Sequence, residues 1–314
     1  MDRSAHTLIA VRAEKLIKRY GETVALDGLN LEIAAGQFFG LLGPNGSGKT
    51  TTIHILSTLI RAGSGSAVVG GFDVVKRPVD VRSIIGLVFQ ESALDRSLSV
   101  RENLRFAGML YSLDQASIDT RAAELLALFD LTDKQDRPVG ALSGGMRRAI
   151  DIIRGVIHHP KILFLDEPTI GLDLPNRRKI WRFIEKLRAR TGMTVLLTTH
   201  YLEEADACDQ VAFINSGQLV KQGTPQQLVS DLGKHVVEIE GPDLAALEAT
   251  LTPRLGPCLR DGDMASFRLA SDDVAPLAAM QAELGAKVSA MRWRRPNLND
   301  VFLWVNAAVA ARQN

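Results

Sequence analysis

Eight consecutive residues, Gly43-Pro44-Asn45-Gly46-Ser47-Gly48-Lys49-Thr50, restrict this chain more than anything else in its 314 positions. They match GxxxxGK[ST]. The apolar run Phe39-Gly40-Leu41-Leu42 precedes them, and a helical pattern begins near Gly48. Strand, glycine-rich loop and helix in that order make a phosphate cradle. The glycines let backbone N–H groups turn inward, and the helix N-terminus adds its positive end. Lys49 is expected to reach the β and γ phosphates of a nucleotide and the Thr50 hydroxyl to ligate Mg²⁺, with Thr51 beside it in the binding turn. A glycine-rich turn before a helix is the plain alternative, and the strand-loop-helix setting counts against it.

A fitting acidic partner ends a second apolar run. Ile162-Leu163-Phe164-Leu165 leads straight into Asp166-Glu167-Pro168. Two carboxylates at the end of a buried strand are costly unless a cation meets them. Asp166 is expected in the magnesium shell, and Glu167 is expected to orient and polarise an attacking water. By itself such a strand end is also a helix-capping acid. Together with the glycine-rich loop it points to hydrolysis of a nucleoside triphosphate.

The length suits two domains better than one core. A net charge of +1 with 46% hydrophobic residues describes an ordered globular chain without the basic excess that nucleic acid or acidic lipid attracts, so no nucleic-acid partner is expected. Cys208 and Cys258 belong to no CxxC pair and read as packing residues in a reducing compartment. The N-terminal MDRSAHTLIAVRAEK has an acid at position 2 and an apolar stretch too short for a signal peptide. No window approaches the roughly 18 consecutive apolar residues of a membrane helix, so any service to a membrane is expected from outside the bilayer.

Along the first part, short apolar runs alternate with helical patterns, the mark of a mostly parallel sheet covered by helices. Strands are expected at 37–42, 85–89, 161–165, 194–198 and 210–215. After Phe89 helical periodicity takes over through 100–111, 115–129 and 144–157, which reads as a helical subdomain at about 78–159. Asn215-Ser216-Gly217-Gln218 reads as a hairpin, and Thr224-Pro225-Gln226 as the capped start of a helix closing a first domain, 1–230. Residues 231–314 then follow the order βαββαβ plus one helix, which suggests a small α+β, ferredoxin-like accessory domain.

Leu142-Ser143-Gly144-Gly145-Met146 supplies a second place where an anion is welcome, because Ser143 suits the cap of a helix that starts with two glycines. With this motif the sequence resembles the ABC ATPase family, whose signature usually reads LSGGQ; Met146 departs at the last position. The resemblance covers roughly residues 7–230, and further positions appear in the family's order. Tyr20, in Lys18-Arg19-Tyr20-Gly21, looks like the aromatic that stacks on adenine. Gln90 resembles the glutamine that senses Mg²⁺ and links the site to a transmembrane partner. Gly171-Leu172-Asp173, after Ile170, resembles the loop that passes between two cassettes, and His200 the switch histidine that hydrogen-bonds the γ phosphate. Taken singly, Tyr20 is as well a packing residue, Gln90 an exposed one and His200 a structural one.

What the resemblance implies is an α/β P-loop cassette, a RecA-like mixed sheet plus helical subdomain, that binds ATP with Mg²⁺ and hydrolyses it. Glu167 and His200 would be catalytic, and Thr50, Gln90 and Asp166 would hold the metal, partly through water. Two copies would pair head to tail, so that Ser143-Gly144-Gly145 and Asp173 of one copy close on the ATP in the phosphate loop of the other. An integral membrane permease would complete the transporter and place this subunit at the cytoplasmic face of the cell membrane. The stretches 41–52, 143–148 and 166–173 and the ending Pro296-Asn297-Leu298-Asn299-Asp300-Val301-Phe302-Leu303 resemble the daunorubicin-resistance type of exporter ATPase. That implies export of drugs, lipids or polysaccharide-like substrates. A soluble ABC ATPase acting on ribosomes or DNA, or an importer ATPase, is the alternative; the former usually carries two cassettes or a long coiled coil. The ending is also readable as an amphipathic helix with a capping asparagine. Its apolar face, Val301, Phe302 and Trp304, is expected either to offer an adhesive surface or to pack on its own domain's sheet.

Overall fold

The computed structural model describes residues 8–313; the segment 1–7, part of the stretch read against a signal peptide, lies outside the described residues. The chain divides into two compact units, one of 8–201 with 207–220, the other of 202–206 with 221–313.

In the first unit, continuous apolar runs become fully buried parallel strands, as expected where both faces of a sheet are covered. The strands are β1 (Ile9–Tyr20), β2 (Thr23–Ala34), β3 (Phe38–Leu42), β4 (Ser64–Val69), β5 (Phe72–Asp73), β6 (Ile85–Val88), β7 (Ile162–Asp166), β8 (Thr194–Thr199), β9 (Gln210–Asn215) and β10 (Gln218–Gly223). Six of them form one sheet in the order β10-β9-β3-β8-β7-β6, in which β9, β3, β8, β7 and β6 pair in parallel. The turn between β9 and β10 has positive φ at both Ser216 and Gly217, as a two-residue hairpin turn demands.

The strands are mixed in direction, as a RecA-like mixed sheet requires, and they fall into two sheets. A second sheet, β2-β1-β4-β5, is antiparallel and shares a core with the first. Val11, Leu29 and Ile33 from it meet Phe39 and Phe164 of the parallel sheet and Ile53 and Leu56 of the helix α1 (Lys49–Leu56). Each such side chain contributes roughly 1.5–3 kcal/mol of burial. The strands β1 and β2 alternate buried and exposed residues, with Arg12, Glu14 and Glu32 outward, so they present no apolar run.

After α2 (Pro78–Ile84) and β6, the next strand among the described residues is β7; between them lie α3 (Val100–Leu110), α4 (Gln115–Leu128) and α5 (Gly144–Val156). The start of the helical subdomain is therefore corrected, since β6 within 78–159 is an edge strand of the parallel sheet. Each helix is capped by its own sequence. Ser99 and Glu102 form a reciprocal capping box, Asp114 accepts from Ser117 N–H, and Ser143 accepts from Met146 N–H. The helix α6 (Leu174–Thr191) is capped by Asp173 and stopped by Gly192 in the left-handed region.

The second unit holds the short helices α7 (Leu202–Ala205) and α8 (Pro225–Ser230), the latter with the Thr224/Gln227 capping box. There follow β11 (His235–Glu240), α9 (Leu244–Leu255), β12 (Cys258–Asp261), β13 (Met264–Leu269), α10 (Ala275–Leu284), β14 (Ala290–Arg294) and α11 (Leu298–Gln313). Their sheet runs β12-β13-β11-β14 with every neighbour antiparallel, the arrangement of a ferredoxin-like βαββαβ unit. The apolar face of α11 is not a free surface. Val301 is buried, α11 packs chiefly on α7 and α8 rather than on the sheet, and Arg268 of β13 lies 4.3 Å over the Trp304 ring.

Candidate functional site

The loop 43–48 closes on itself through Ser47 N–H to the Pro44 carbonyl at 3.2 Å and hands over to α1 at Gly48. Gly48 has φ +109°, and a Cβ there would stand 2.6 Å from the Ala25 carbonyl oxygen, so only glycine fits. No side chain caps α1, which leaves its first N–H groups aimed at the loop's concavity. Beside them opens a cleft of about 560 Å³, lined among others by Tyr20, Asn45, Gly46, Gly48, Lys49, Thr50, Thr51, Gln90, Glu167 and His200.

Lys49 is 4% exposed and donates to the carbonyls of Gly43 at 2.8 Å and Pro44 at 3.1 Å, with Nζ 3.6 Å from Glu167 Oε1. Burial pushes its ammonium below the usual lysine range, while Glu167 and Asp166 pull it back up. The Ser47 hydroxyl is buried without a hydrogen-bond partner among the described residues. A buried orphan hydroxyl inside an anion cradle fits a loop built around an oxyanion ligand.

Behind the loop, the ends of β7 and β8 bring the acids into register. Asp166, 2% exposed, accepts from Thr50 Oγ1 at 3.2 Å and from Thr198 Oγ1 at 2.5 Å. Glu167 N–H donates to the same Thr198 hydroxyl oxygen at 3.1 Å. Its φ of +45° is unusual for a residue with a side chain and turns the carboxylate toward the cleft. His200 Nδ1 lies 3.1 Å from Glu167 Oε2. A hydroxyl and a carboxylate 3.2 Å apart at the foot of a phosphate cradle are a hard-oxygen donor pair, the kind Mg²⁺ takes from protein while substrate phosphates and water supply the rest. Among the described residues no group of three or more His, Cys, Asp or Glu could hold a metal without such help.

Gln90 is exposed at the cleft's edge, and Tyr20, 49% exposed, stands at its rim with Lys18 Nζ 5.2 Å over the ring. Ser143, Gly144, Gly145 and Asp173 do not line this cleft. Ser143 and Asp173 are exposed N-caps of α5 and α6, and Gly145 lies so close to Asn176 that a Cβ would stand 2.6 Å from its side chain.

This geometry agrees with the comparisons. The model of the ABC transporter family matches residues 26–170. A daunorubicin resistance ATP-binding protein of Streptomyces coeruleorubidus is 43% identical over 303 residues, covering 94% of this chain and 94% of its own length. The chain belongs to the ABC transporter family. It is an ATPase of that family, with a nucleotide-binding cassette. A Nod factor export ATP-binding protein of Ralstonia nicotianae is 40% identical over 296 residues, covering 92% of this chain and 91% of that one. Among solved structures, an ATP-binding cassette of an ABC transporter in its ADP conformation has a TM-score of 0.65 at 26% identity, covering 72% of this chain and 95% of that one. A dimeric, post-hydrolysis cassette bound to ADP and phosphate has 0.63 at 26% identity, covering 68% and 98%.

Two residues of this ABC cassette that reach the acids are invisible to motif reading. Thr198 holds both Asp166 and Glu167, and Arg148 donates to the main chain around them. The available signals were a threonine ending the run Val195-Leu196-Leu197, and an arginine beside the apolar residues Ala149, Ile150, Ile152 and Ile153.

Proposed function

We propose that the protein is the ATP-hydrolysing motor subunit of an exporter. In this reading a second copy of itself completes its sites and a separate integral membrane permease carries the substrate. The observation that carries the reading is the split of the anion-binding elements. Lys49, Thr50, Glu167 and His200 converge on one cleft, with Asp166 hydrogen-bonded to Thr50 beside it, while the capped start of α5 at Ser143 stands exposed away from it, with no nucleotide group of its own to serve.

ATP lies with its phosphates in the loop 43–50 and its adenine on Tyr20. Lys49 and the N–H groups of α1 hold the β and γ phosphates. Thr50 and Asp166 would hold Mg²⁺, with Gln90 reaching it partly through water, and the ion would supply charge neutralisation on the phosphates. Glu167 takes a proton from a water whose oxygen bonds to the γ phosphorus as the bond to the β-phosphate oxygen breaks, giving ADP and phosphate. His200 holds the Glu167 carboxylate on one side and donates to the γ phosphate on the other. Ser143, Gly144, Gly145 and Asp173 bind the ATP of the second copy, so hydrolysis removes the phosphate that bridges the two chains.

Residues up to about 230 act as the cassette, and the remainder is an accessory domain. No helix among the described residues is long and apolar enough to cross a membrane; attachment at the cytoplasmic face of the cell membrane through the permease is supported by the similarity to transporter ATP-binding proteins. Export of drugs, lipids or polysaccharide-like molecules is supported by the similarity to daunorubicin resistance and Nod factor export ATP-binding proteins. Glu167→Gln tests the chemistry: the variant is expected to bind ATP, to dimerise with it in size exclusion, and to release phosphate at least about 10²-fold more slowly. Turnover near the wild-type rate removes Glu167 from its role.

A further inference from the structure

Arg148 is a charged side chain sealed inside the cassette, 8% exposed, and no step above uses it. It lies in the second turn of α5, the helix that Ser143 caps. Its guanidinium fans out to main-chain carbonyls of two other segments. Nε donates to Pro168, Nη2 to Asp166 at 3.4 Å and to Glu167 at 3.3 Å, and Nη1 to Phe89 at 2.6 Å. The first three acceptors are consecutive residues at the end of β7; the fourth immediately precedes Gln90. Asp151, one turn further along α5, accepts from Ala93 N–H at 3.3 Å and stands 4.0 Å from Arg148 Nη1. Two side chains of α5 therefore hold the segment 89–93 on both sides of Gln90.

What this clamp surrounds is a backbone that needs holding. Glu167, with φ +45°, is in the left-handed region, which costs of order 1 kcal/mol or more for a residue with a Cβ and persists only where neighbours enforce it. Thr198 fixes its N–H, and Arg148 fixes the carbonyls before, at and after it. Stability does not account for the choice of residue, since a buried cation, even one with carbonyls and the Asp151 carboxylate around it, is seldom better than well-packed apolar side chains of the same volume. Geometry does. Four carbonyls in a fan require N–H donors in one rigid plane, which a guanidinium has and an ammonium lacks.

We propose that Arg148 is a positioning residue that sets the Glu167 backbone, and through it the carboxylate, relative to the Gln90 segment, so that hydrolysis depends on the placement of α5. This rests on the reading of Glu167 as the group that takes the water's proton.

The test uses the full chain as wild type, Arg148→Lys, Glu167→Gln and the double variant, with ATP affinity, thermal midpoint and single-turnover hydrolysis measured for each. Lysine keeps the charge but reaches only part of the fan. Arg148→Lys is expected to bind ATP within about twofold of wild type and to hydrolyse it about 10- to 100-fold more slowly, the scale of a small misplacement at a reacting centre. In the Glu167→Gln background the same change is expected to add almost nothing. Arg148→Gln, uncharged and two atoms shorter, ends where Arg148 Nε stands and reaches still less of the fan; it is the second variant, and the same result is expected of it. A folded Arg148→Lys that hydrolyses within twofold of wild type overturns the proposal, as does an effect that multiplies fully in the double variant, or the failure of both variants to fold. Turnover retained by Glu167→Gln alone instead overturns the reading of Glu167.

Discussion

Replacing Thr198 by valine removes one hydroxyl from the middle of the site and almost nothing else. Valine has the same shape and the same preference for a strand, so β8 and its packing persist without a cavity. Thr198 is 0% exposed, so water cannot replace the lost group. Three contacts go: the bond to Asp166 Oδ1 at 2.5 Å, the one accepted from Glu167 N–H at 3.1 Å, and a long one to the Leu165 carbonyl at 3.5 Å that shares the same hydroxyl hydrogen. The second costs little, because the same N–H also meets the Thr198 carbonyl at 3.1 Å. The first is a hydrogen bond to a carboxylate, about 1.5–3 kcal/mol, and its loss leaves Asp166 with the longer bond from Thr50 at 3.2 Å. A net loss of about 2 kcal/mol lowers the cassette's thermal midpoint by about 4–8 °C. Turnover is expected to fall about tenfold or more, the equivalent of roughly 1.4 kcal/mol, because Asp166 and Glu167, the proposed magnesium ligand and proposed base, both lose a fixed neighbour. Differential scanning calorimetry and phosphate release measure the two effects, with Thr198→Ser as the control that keeps the hydroxyl. A valine variant melting within about 1 °C of wild type and turning over within twofold of it refutes the reasoning. So does a serine variant that behaves like the valine one.

Lys49→Ala is expected to lose ATP binding itself, at least about tenfold in affinity, whereas Ser143→Ala binds ATP as a monomer within about twofold and fails to dimerise with it. Fluorescent-nucleotide titration and size exclusion separate the two, and equal loss of affinity in both contradicts a site shared by two chains. His158 stacks on Tyr111 at 3.5 Å between centroids, places Nε2 2.9 Å from the Ile85 carbonyl, and has its pKa pushed down to about 4 by burial. The unfolded chain takes up a proton near the ordinary value of 6.5 and the folded one only near 4, so stability falls as pH drops through that window, by up to about 3 kcal/mol, and levels off below it. Urea midpoints measured from pH 7 to 4 are expected to show this loss in the wild type and to lack it in His158→Gln; equal slopes in the two proteins rule it out.

The groups proposed to hold phosphate, metal and water were legible because chemistry dictates both residue type and spacing. A cradle needs glycines, one lysine and one hydroxyl in an eight-residue frame, and a carboxylate pair needs a strand to carry it, so Lys49, Thr50, Asp166 and Glu167 are readable and the cleft gathers the first two with Glu167. The elements were legible for a similar reason. Runs buried on both faces and well-capped helices announce themselves, and β9 has the bounds its pattern suggests. The antiparallel sheet escaped because half-exposed strands dilute their apolar residues with charges, and the covered face of α11 escaped because helical spacing marks an apolar stripe without saying what lies on it. Thr198 and Arg148 escaped for a deeper reason. A carbonyl or a carboxylate accepts from any donor that arrives, so nothing in the local pattern distinguishes a threonine that holds Asp166 from one that merely ends a strand. The residues that position a site are set by approach in space, 32 positions apart for Thr198 and Asp166 and 19 for Arg148 and Glu167. The backbone of Glu167 turns the same point around: its positive φ has no sequence signature, yet it is the feature that makes both neighbours necessary.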